Sequence, residues 1–208
     1  MIEYILDHNP DDRILKKASD LMKEGGIVCI PTDTHWVMLT DAFSKNGVEK
    51  LYRLKGEQKN HHFSILCSSI SMASEYAVIP DSSFRLINRR IPGHYTFIFE
   101  ATKKMIKTLK ASKTDHEIGL RFIPLPYLNA LIEVHGGGLI STNVDERVLG
   151  FDFDKDQLYS FQLEESLSAK VDMIIDPGEF NFIGPSTIYN FAHQPPELVR
   201  EGAGELLF

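Results

Sequence analysis

The sequence predicts an α/β (α+β) domain built on one mixed sheet with flanking helices, and three observations carry that reading. Residues 27–30 and 139–141 are short apolar runs with the composition of buried strands. Helical spacings stand between such runs, as in Ile14, Ala18, Leu21 and Met22. Both runs lead into small oxygen-bearing side chains, Thr32-Asp33-Thr34 after Pro31 in one case and Ser141-Thr142-Asn143 in the other. In open α/β sheets the crevice beyond the strand ends is where small ligands bind. Hydroxyls and a carboxylate placed there suit an amino acid, a ribose or a metal-bound phosphate. A polar turn bonded only to its own backbone is the plainer alternative.

In chain order, residues 3–6 suit a short edge strand. Asn9-Pro10-Asp11 opens a helix, with a cap-type residue, a proline and acids near the N-terminus, and Gly25-Gly26 ends it. Pro31 is expected to stop the strand at 27–30, because proline has no N–H for a ladder. Residues 37–39 suit a further strand and 47–54 a helix with Val48, Leu51 and Leu54 on its apolar side. A polar loop over 55–62 precedes a strand at 63–67 and a turn entering a helix at 68–74. Asp81 is expected to cap a helix through Arg90, Pro92-Gly93 breaks it, and residues 94–99 form a strand. The strand at 118–123 is interrupted by Arg121, which is costly there without an anionic partner; a salt bridge and a bound ligand both satisfy that need. Residues 127–135 read as a helix, and Gly136-Gly137-Gly138 leads into the strand at 139–141. Residues 144–167 are acidic and weakly patterned, an excursion with one short helix near Leu163. Strands at 171–175, 186–189 and 198–200 close the sheet. No repeat or linker divides the chain, so residues 1–208 are expected to form a single domain.

Composition narrows the function classes. The 208 residues are 43% hydrophobic, enough for a full core, and no apolar run approaches the roughly 20 residues of a membrane helix. The N-terminus has no basic region ahead of an apolar one, unlike a secretory signal. With only Cys29 and Cys67 there is no disulfide framework, and a reducing cytoplasm is the expected setting. The net charge of −7 argues against a generic nucleic-acid binder, yet residues 50–121 hold 13 of the 22 basic and 6 of the 29 acidic residues. That local excess of +7, against −14 elsewhere, suits one face for an anion such as RNA. For the lysines between 103 and 113 a solvated helix or loop is the alternative.

Several motifs are absent: no dinucleotide-binding Gly-x-Gly-x-x-Gly, no P-loop, no His-Glu-x-x-His and no Gly-x-Ser-x-Gly. Asp152, Asp154 and Asp156 imitate the start of a calcium loop, but Gln157 stands where glycine is needed and Leu163 where a carboxylate is needed. His61-His62 is a poor metal pair, since adjacent residues seldom aim at one ion. No metal ligands are assigned.

Other pieces recur in one order along about residues 10–204. They are Lys23-Glu24-Gly25-Gly26, Pro31-Thr32-Asp33-Thr34, Tyr52-Arg53-Leu54-Lys55-Gly56, and Pro92-Gly93-His94-Tyr95-Thr96-Phe97-Ile98. Ile118-Gly119-Leu120-Arg121, Ser141-Thr142, Ser186-Thr187 and Val199-Arg200-Glu201-Gly202-Ala203 follow. Together they resemble the YrdC/YciO family, whose best-known members are threonylcarbamoyl-adenylate synthases. The resemblance implies a twisted open sheet with a concave basic face that binds nucleotides and double-stranded RNA. It also implies a reaction in which L-threonine, bicarbonate and ATP, with Mg²⁺, give threonylcarbamoyl-adenylate and pyrophosphate for tRNA modification. By that resemblance Lys55 is the catalytic cation. Lys55, Arg200, Ser141, Thr142 and Asn143 hold nucleotide, while Thr32, Asp33, Thr34, Arg121, Ser186 and Thr187 hold substrate.

The chain departs from the synthase pattern at charged positions. Lys-x-Arg becomes Lys55-Gly56-Glu57, Ser-x-Asn becomes Asn143-Val144-Asp145, and Val-Tyr-Gly-Leu becomes His35-Trp36-Val37-Met38. The first two changes make the phosphate site three charge units less positive, each unit worth on the order of 4 kcal/mol at 4 Å before screening. The YciO branch of the family resembles this chain more closely. Two readings follow: an adenylate enzyme with weak or altered activity such as adenylate hydrolysis, or a non-catalytic RNA-binding or ribosome-associated module.

Overall fold

A computed structural model describes residues 1–56, 63–109, 116–154 and 158–208. Glu57 and the His61-His62 pair, Lys110 and Lys113, and the Asp156-Gln157 portion of the calcium-like run lie outside the described residues.

The elements run β1 (Ile2–Tyr4), α1 (Asp12–Lys23), β2 (Val28–Pro31), β3 (Trp36–Asp41), α2 (Lys45–Lys55), β4 (Ser64–Leu66), α3 (Ile70–Ala73), α4 (Asp81–Ile87) and β5 (Tyr95–Glu100). After these come α5 (Lys103–Leu109), β6 (Glu117–Arg121), α6 (Pro126–His135), β7 (Leu139–Asn143), α7 (Glu146–Leu149), α8 (Ser160–Leu167), β8 (Met173–Asp176), β9 (Thr187–Asn190) and β10 (Glu197–Arg200). Among the described residues the strands form one sheet in the order β1-β8-β2-β3-β7-β4-β6-β5-β9-β10. It is mixed: β8 pairs parallel with β1 and β2, whereas β3 pairs antiparallel with β2 and β7. In the far half the parallel pairs β4–β6 and β5–β9 alternate with the antiparallel pairs β7–β4, β6–β5 and β9–β10.

Local chemistry accounts for most boundaries. The Asp11 carboxylate accepts from the Arg13 N–H and caps α1, and Ser44 accepts from the Gly47 N–H at the start of α2. Gly56 takes the left-handed C-cap conformation that ends α2, placing Lys55 at the helix's last position. Several expectations are corrected. Pro31 does not stop β2 but is its last residue, opposite Trp36, where a missing N–H breaks no interior ladder bond. Asp81 is the first helical residue of α4, not its cap. Arg121 is the last residue of β6 and not its middle, and β7 continues through Thr142 and Asn143. Residues 144–167 contain two helices where one was expected, the four-residue α7 being too short to show a period.

Two apolar clusters sandwich the sheet. On one face Leu15, Ala18 and Met22 of α1 and Leu128, Leu131 and Ile132 of α6 pack on Val28, Ile30, Val37 and Leu39. The larger cluster on the other face includes Trp36, Met38, Leu51, Phe97, Phe99, Leu120 and Leu163. Strand alternation then decides where a site forms. On the face shared with α1 and α6, β4, β6 and β5 present Ser64, Gly119, Thr96 and Ile98 in place of a full apolar row. That surface offers little to hold a helix and stays open as a hollow. Both cysteines are buried free thiols, and burial pushes them up from their ordinary value. Among the described residues no helix is long and apolar enough to cross a membrane.

Candidate functional site

The hollow is a cavity of about 510 Å³, within the size range of small-molecule sites. Among the described residues its cations are Lys55, Arg121 and Arg200, and its hydroxyls include Thr34, Ser141, Thr142 and Ser186.

The turn after β2 builds one wall. Thr32 N–H donates to the His35 carbonyl at 2.8 Å, closing a tight hairpin between β2 and β3. The Thr32 hydroxyl donates to that same carbonyl and accepts from the N–H groups of Thr34 and His35, so it serves the turn rather than the cavity. Asp33 is 1% exposed and clamped on both oxygens: Arg121 Nη2 donates to Oδ1 at 2.7 Å, and His94 Nδ1 lies 2.8 Å from Oδ2. Arg121 Nη1 also donates to the Thr34 hydroxyl at 3.2 Å. Of the two possibilities left open for Arg121 the salt bridge is present, with Asp33 as its carboxylate, and the side chain also lines the cavity. Its buried Nε–H has no hydrogen-bond partner among the described residues.

Arg200, from the edge strand β10, donates through Nε and Nη2 to the Ser186 carbonyl and through Nη2 to its hydroxyl. The Ser186 hydroxyl shares a hydrogen bond of 2.8 Å with Thr96. Burial lowers the Arg200 guanidinium from its ordinary value, and the positive charge of Arg121 lowers it further. Burial likewise lowers Arg121, with Asp33 acting in the opposite direction. The two guanidiniums thus repel one another across the hollow, while Asp33 offsets the charge of Arg121.

The third cation is already engaged. Lys55 Nζ donates to the Asn143 carbonyl at 3.1 Å and forms an ion pair with the Asp145 carboxylate. The other Asp145 oxygen accepts from the Val148 N–H at 3.0 Å and caps α7. The acidic excursion therefore borders the site. It is anchored where Trp36 Nε1–H donates to the Leu158 carbonyl at 2.8 Å and Val144 N–H to the Trp36 carbonyl. His35, where the synthase pattern has valine, lines the cavity and stacks on Phe182 at 5.9 Å, with Phe153 edge-on at the same distance.

Of the residues singled out from sequence, Lys55, Thr34, Arg121, Ser141, Thr142, Asn143, Ser186 and Arg200 share this cavity. Asp33 lies behind it, holding Arg121. Thr187 points through the sheet, its hydroxyl donating to the Gly204 carbonyl and accepting from the Gly202 N–H. One step along a strand reverses the face, so Ser186 lines the cavity and Thr187 does not. Ser64, Thr96, Gly119 and His35 also line it without having been singled out as binding residues, and His94 touches Asp33. Their signal was the alternation 94, 96, 98 and 119, 121, legible once the facing side is known.

A second chain of serine, histidine and aspartate lies elsewhere. Ser19 Oγ is 3.1 Å from His135 Nδ1, and His135 Nε2 is 3.0 Å from Asp41 Oδ2. Ser19 and the His135 side chain are each 1% exposed, so this chain pins α1 and α6 to β3 and reaches no substrate.

A family model for the Sua5/YciO/YrdC domain, described as "Telomere recombination", matches residues 20–202. The protein YciO of Escherichia coli K12, described as uncharacterized, is 30% identical over 205 residues, covering 98% of this chain and 96% of YciO. The crystal structure of E. coli YciO superposes with a TM-score of 0.82 at 28% identity, covering 99% of this chain and 97% of the other. A threonylcarbamoyl-AMP synthase of Pyrococcus abyssi is 23% identical over 196 residues, 90% of this chain and 54% of the synthase. The P. abyssi Sua5 structure complexed with L-threonine has the same fold, with a TM-score of 0.80 at 22% identity over 97% of this chain and 57% of that one. The match across nearly the whole chain, in sequence and in fold, shows that the protein belongs to the Sua5/YciO/YrdC family.

Proposed function

We propose that this chain binds threonylcarbamoyl-adenylate and hydrolyses it, rather than forming it from L-threonine, bicarbonate and ATP. The Lys55–Asp145 ion pair carries this reading. Of the three cations that line the cavity among the described residues, Lys55 and Arg121 are each paired with a carboxylate of the protein. A triphosphate brings several negative charges and needs cations to offset them, whereas an adenylate brings one phosphate charge. The charge left at the cavity suits the adenylate. The family's threonylcarbamoyl-AMP synthases and the L-threonine complex of P. abyssi Sua5 support a ligand joining an amino acid to a nucleotide. Among the described residues no group of three or more His, Cys, Asp or Glu is arranged to hold a metal ion.

The test is a paired assay beside an authentic synthase. Purified protein given threonylcarbamoyl-adenylate should release AMP; given threonine, bicarbonate, ATP and Mg²⁺ it should accumulate no adenylate. Failure to consume the adenylate, or net synthesis at the synthase's rate, refutes the reading. Lys103, Lys104 and Lys107 on α5, which packs against α2, the helix that carries Lys50 and Arg53, favour RNA binding as a second reading. RNA affinity should then fall steeply with salt, as counterion release requires, and an absent or salt-insensitive affinity removes it.

A further inference from the structure

We propose that His94, held by Asp33, is the general base that activates water in this site, an inference that rests on the hydrolytic reading above. Thr96 and Ile98 of β5 line the cavity, and His94 occupies the preceding place in that alternating row, immediately before the strand begins. Its backbone is fixed beside the cavity wall, since the His94 carbonyl accepts from the Thr187 N–H at 3.0 Å, next to the cavity-lining Ser186. A carboxylate only accepts hydrogen bonds, so the 2.8 Å contact to Asp33 Oδ2 requires the proton on Nδ1. In the neutral ring this leaves the Nε2 lone pair without a hydrogen bond among the described residues, on a side chain that is 35% exposed while that of Asp33 is 1% exposed.

The buried carboxylate has a counterion without the histidine, because Arg121 Nη2 sits 2.7 Å from its other oxygen. A His–Asp pair of this kind orients an imidazole and fixes its tautomer, as a general base requires. Its setting differs from that of the sealed Ser19–His135–Asp41 chain, whose imidazole has both nitrogens engaged. In the step that follows, Nε2 takes a proton from water and the water oxygen bonds to the carbamoyl carbon. The bond from that carbon to the phosphate oxygen breaks, and AMP leaves with the electron pair. The N-carboxythreonine so formed loses CO2 to give threonine. No oxidant, reductant or further reactant is needed.

The experiment compares wild type, His94→Ala and His94→Gln for AMP release from threonylcarbamoyl-adenylate, with calorimetric titration by AMP as the measure of an intact site. Loss of turnover by 10²-fold or more in both variants, with AMP affinity within threefold of wild type and partial rescue of His94→Ala by added imidazole, is the expected result. Imidazole rescue separates a proton carrier from a wall residue, because a structural role gives it nothing to replace. If wild type hydrolyses the adenylate and both variants match it, or if imidazole fails to restore a defective His94→Ala that still binds AMP, the assignment to His94 is overturned and the adenylate reading stands. If wild type itself leaves the adenylate intact, the adenylate reading fails and His94 loses its role with it.

Discussion

Replacing Asp145 by Asn isolates one of the charges by which the sequence departs from the synthase pattern. Asparagine caps a helix about as well as aspartate, so the bond to the Val148 N–H that starts α7 survives. What is lost is the negative charge on Lys55. That lysine side chain is 6% exposed and the Asp145 side chain 40% exposed, so solvent screens one partner only. A unit charge 4 Å from a phosphate is worth about 4 kcal/mol at an effective dielectric of 20; with roughly a third surviving screening, about 1.4 kcal/mol remains, or tenfold in affinity. Calorimetry should therefore show ATP binding about tenfold tighter to Asp145→Asn than to wild type, with AMP affected less. Without ligand the variant should be less stable by about 1 kcal/mol, because Lys55 keeps only the Asn143 carbonyl. ATP should raise its melting temperature more than it raises that of wild type. An unchanged ATP affinity in a folded variant would refute the idea that Asp145 disfavours the triphosphate.

Other perturbations read different parts of the molecule. Asp33→Ala strands a buried guanidinium and should cost about 3–5 kcal/mol in urea unfolding, whereas pairing it with Arg121→Met should recover a large part of that loss. A Cβ at Gly119 would stand 2.8 Å from Ser64 Oγ and 3.0 Å from Thr96 Cγ2 on the cavity floor, so Gly119→Ala should weaken AMP binding severalfold and destabilise the protein by about 1 kcal/mol. Burial pushes the Asp41 carboxyl up, but hydrogen bonds from His135 and from the Phe43 and Ser44 N–H groups outweigh it and leave the carboxyl below its ordinary value. A carboxyl lowered in the folded state stabilises above the ordinary value of 3.8, and that contribution disappears as pH falls through the folded value. Denaturant unfolding between about pH 5 and pH 2 should thus show a shallower loss of stability in Asp41→Asn than in wild type, and parallel curves would contradict the assignment.

Much of the frame is local, and so was readable. Helical spacing marked α1 and α6, the glycines closed both, and apolar runs marked β2, β7 and β8, because periodicity and capping act over a few neighbouring residues. The cost of a buried arginine announced that Arg121 needed an anion, and ordered motifs gathered most of the cavity's residues before any geometry was known. The partners were not readable. Asp33 meets Arg121 across 88 positions and Lys55 meets Asp145 across 90, contacts that exist only once β7 lies between β3 and β4 and β6 lies beside β4. Sequence could count Asp145 as an added negative charge; only the fold shows that it closes on Lys55. The same holds for the choice between Ser186 and Thr187 and for the row on which His94 stands. Strand alternation has a period of two, so which member of a pair faces a ligand depends on which side of the sheet the helices leave bare. That is decided by the packing of the whole chain.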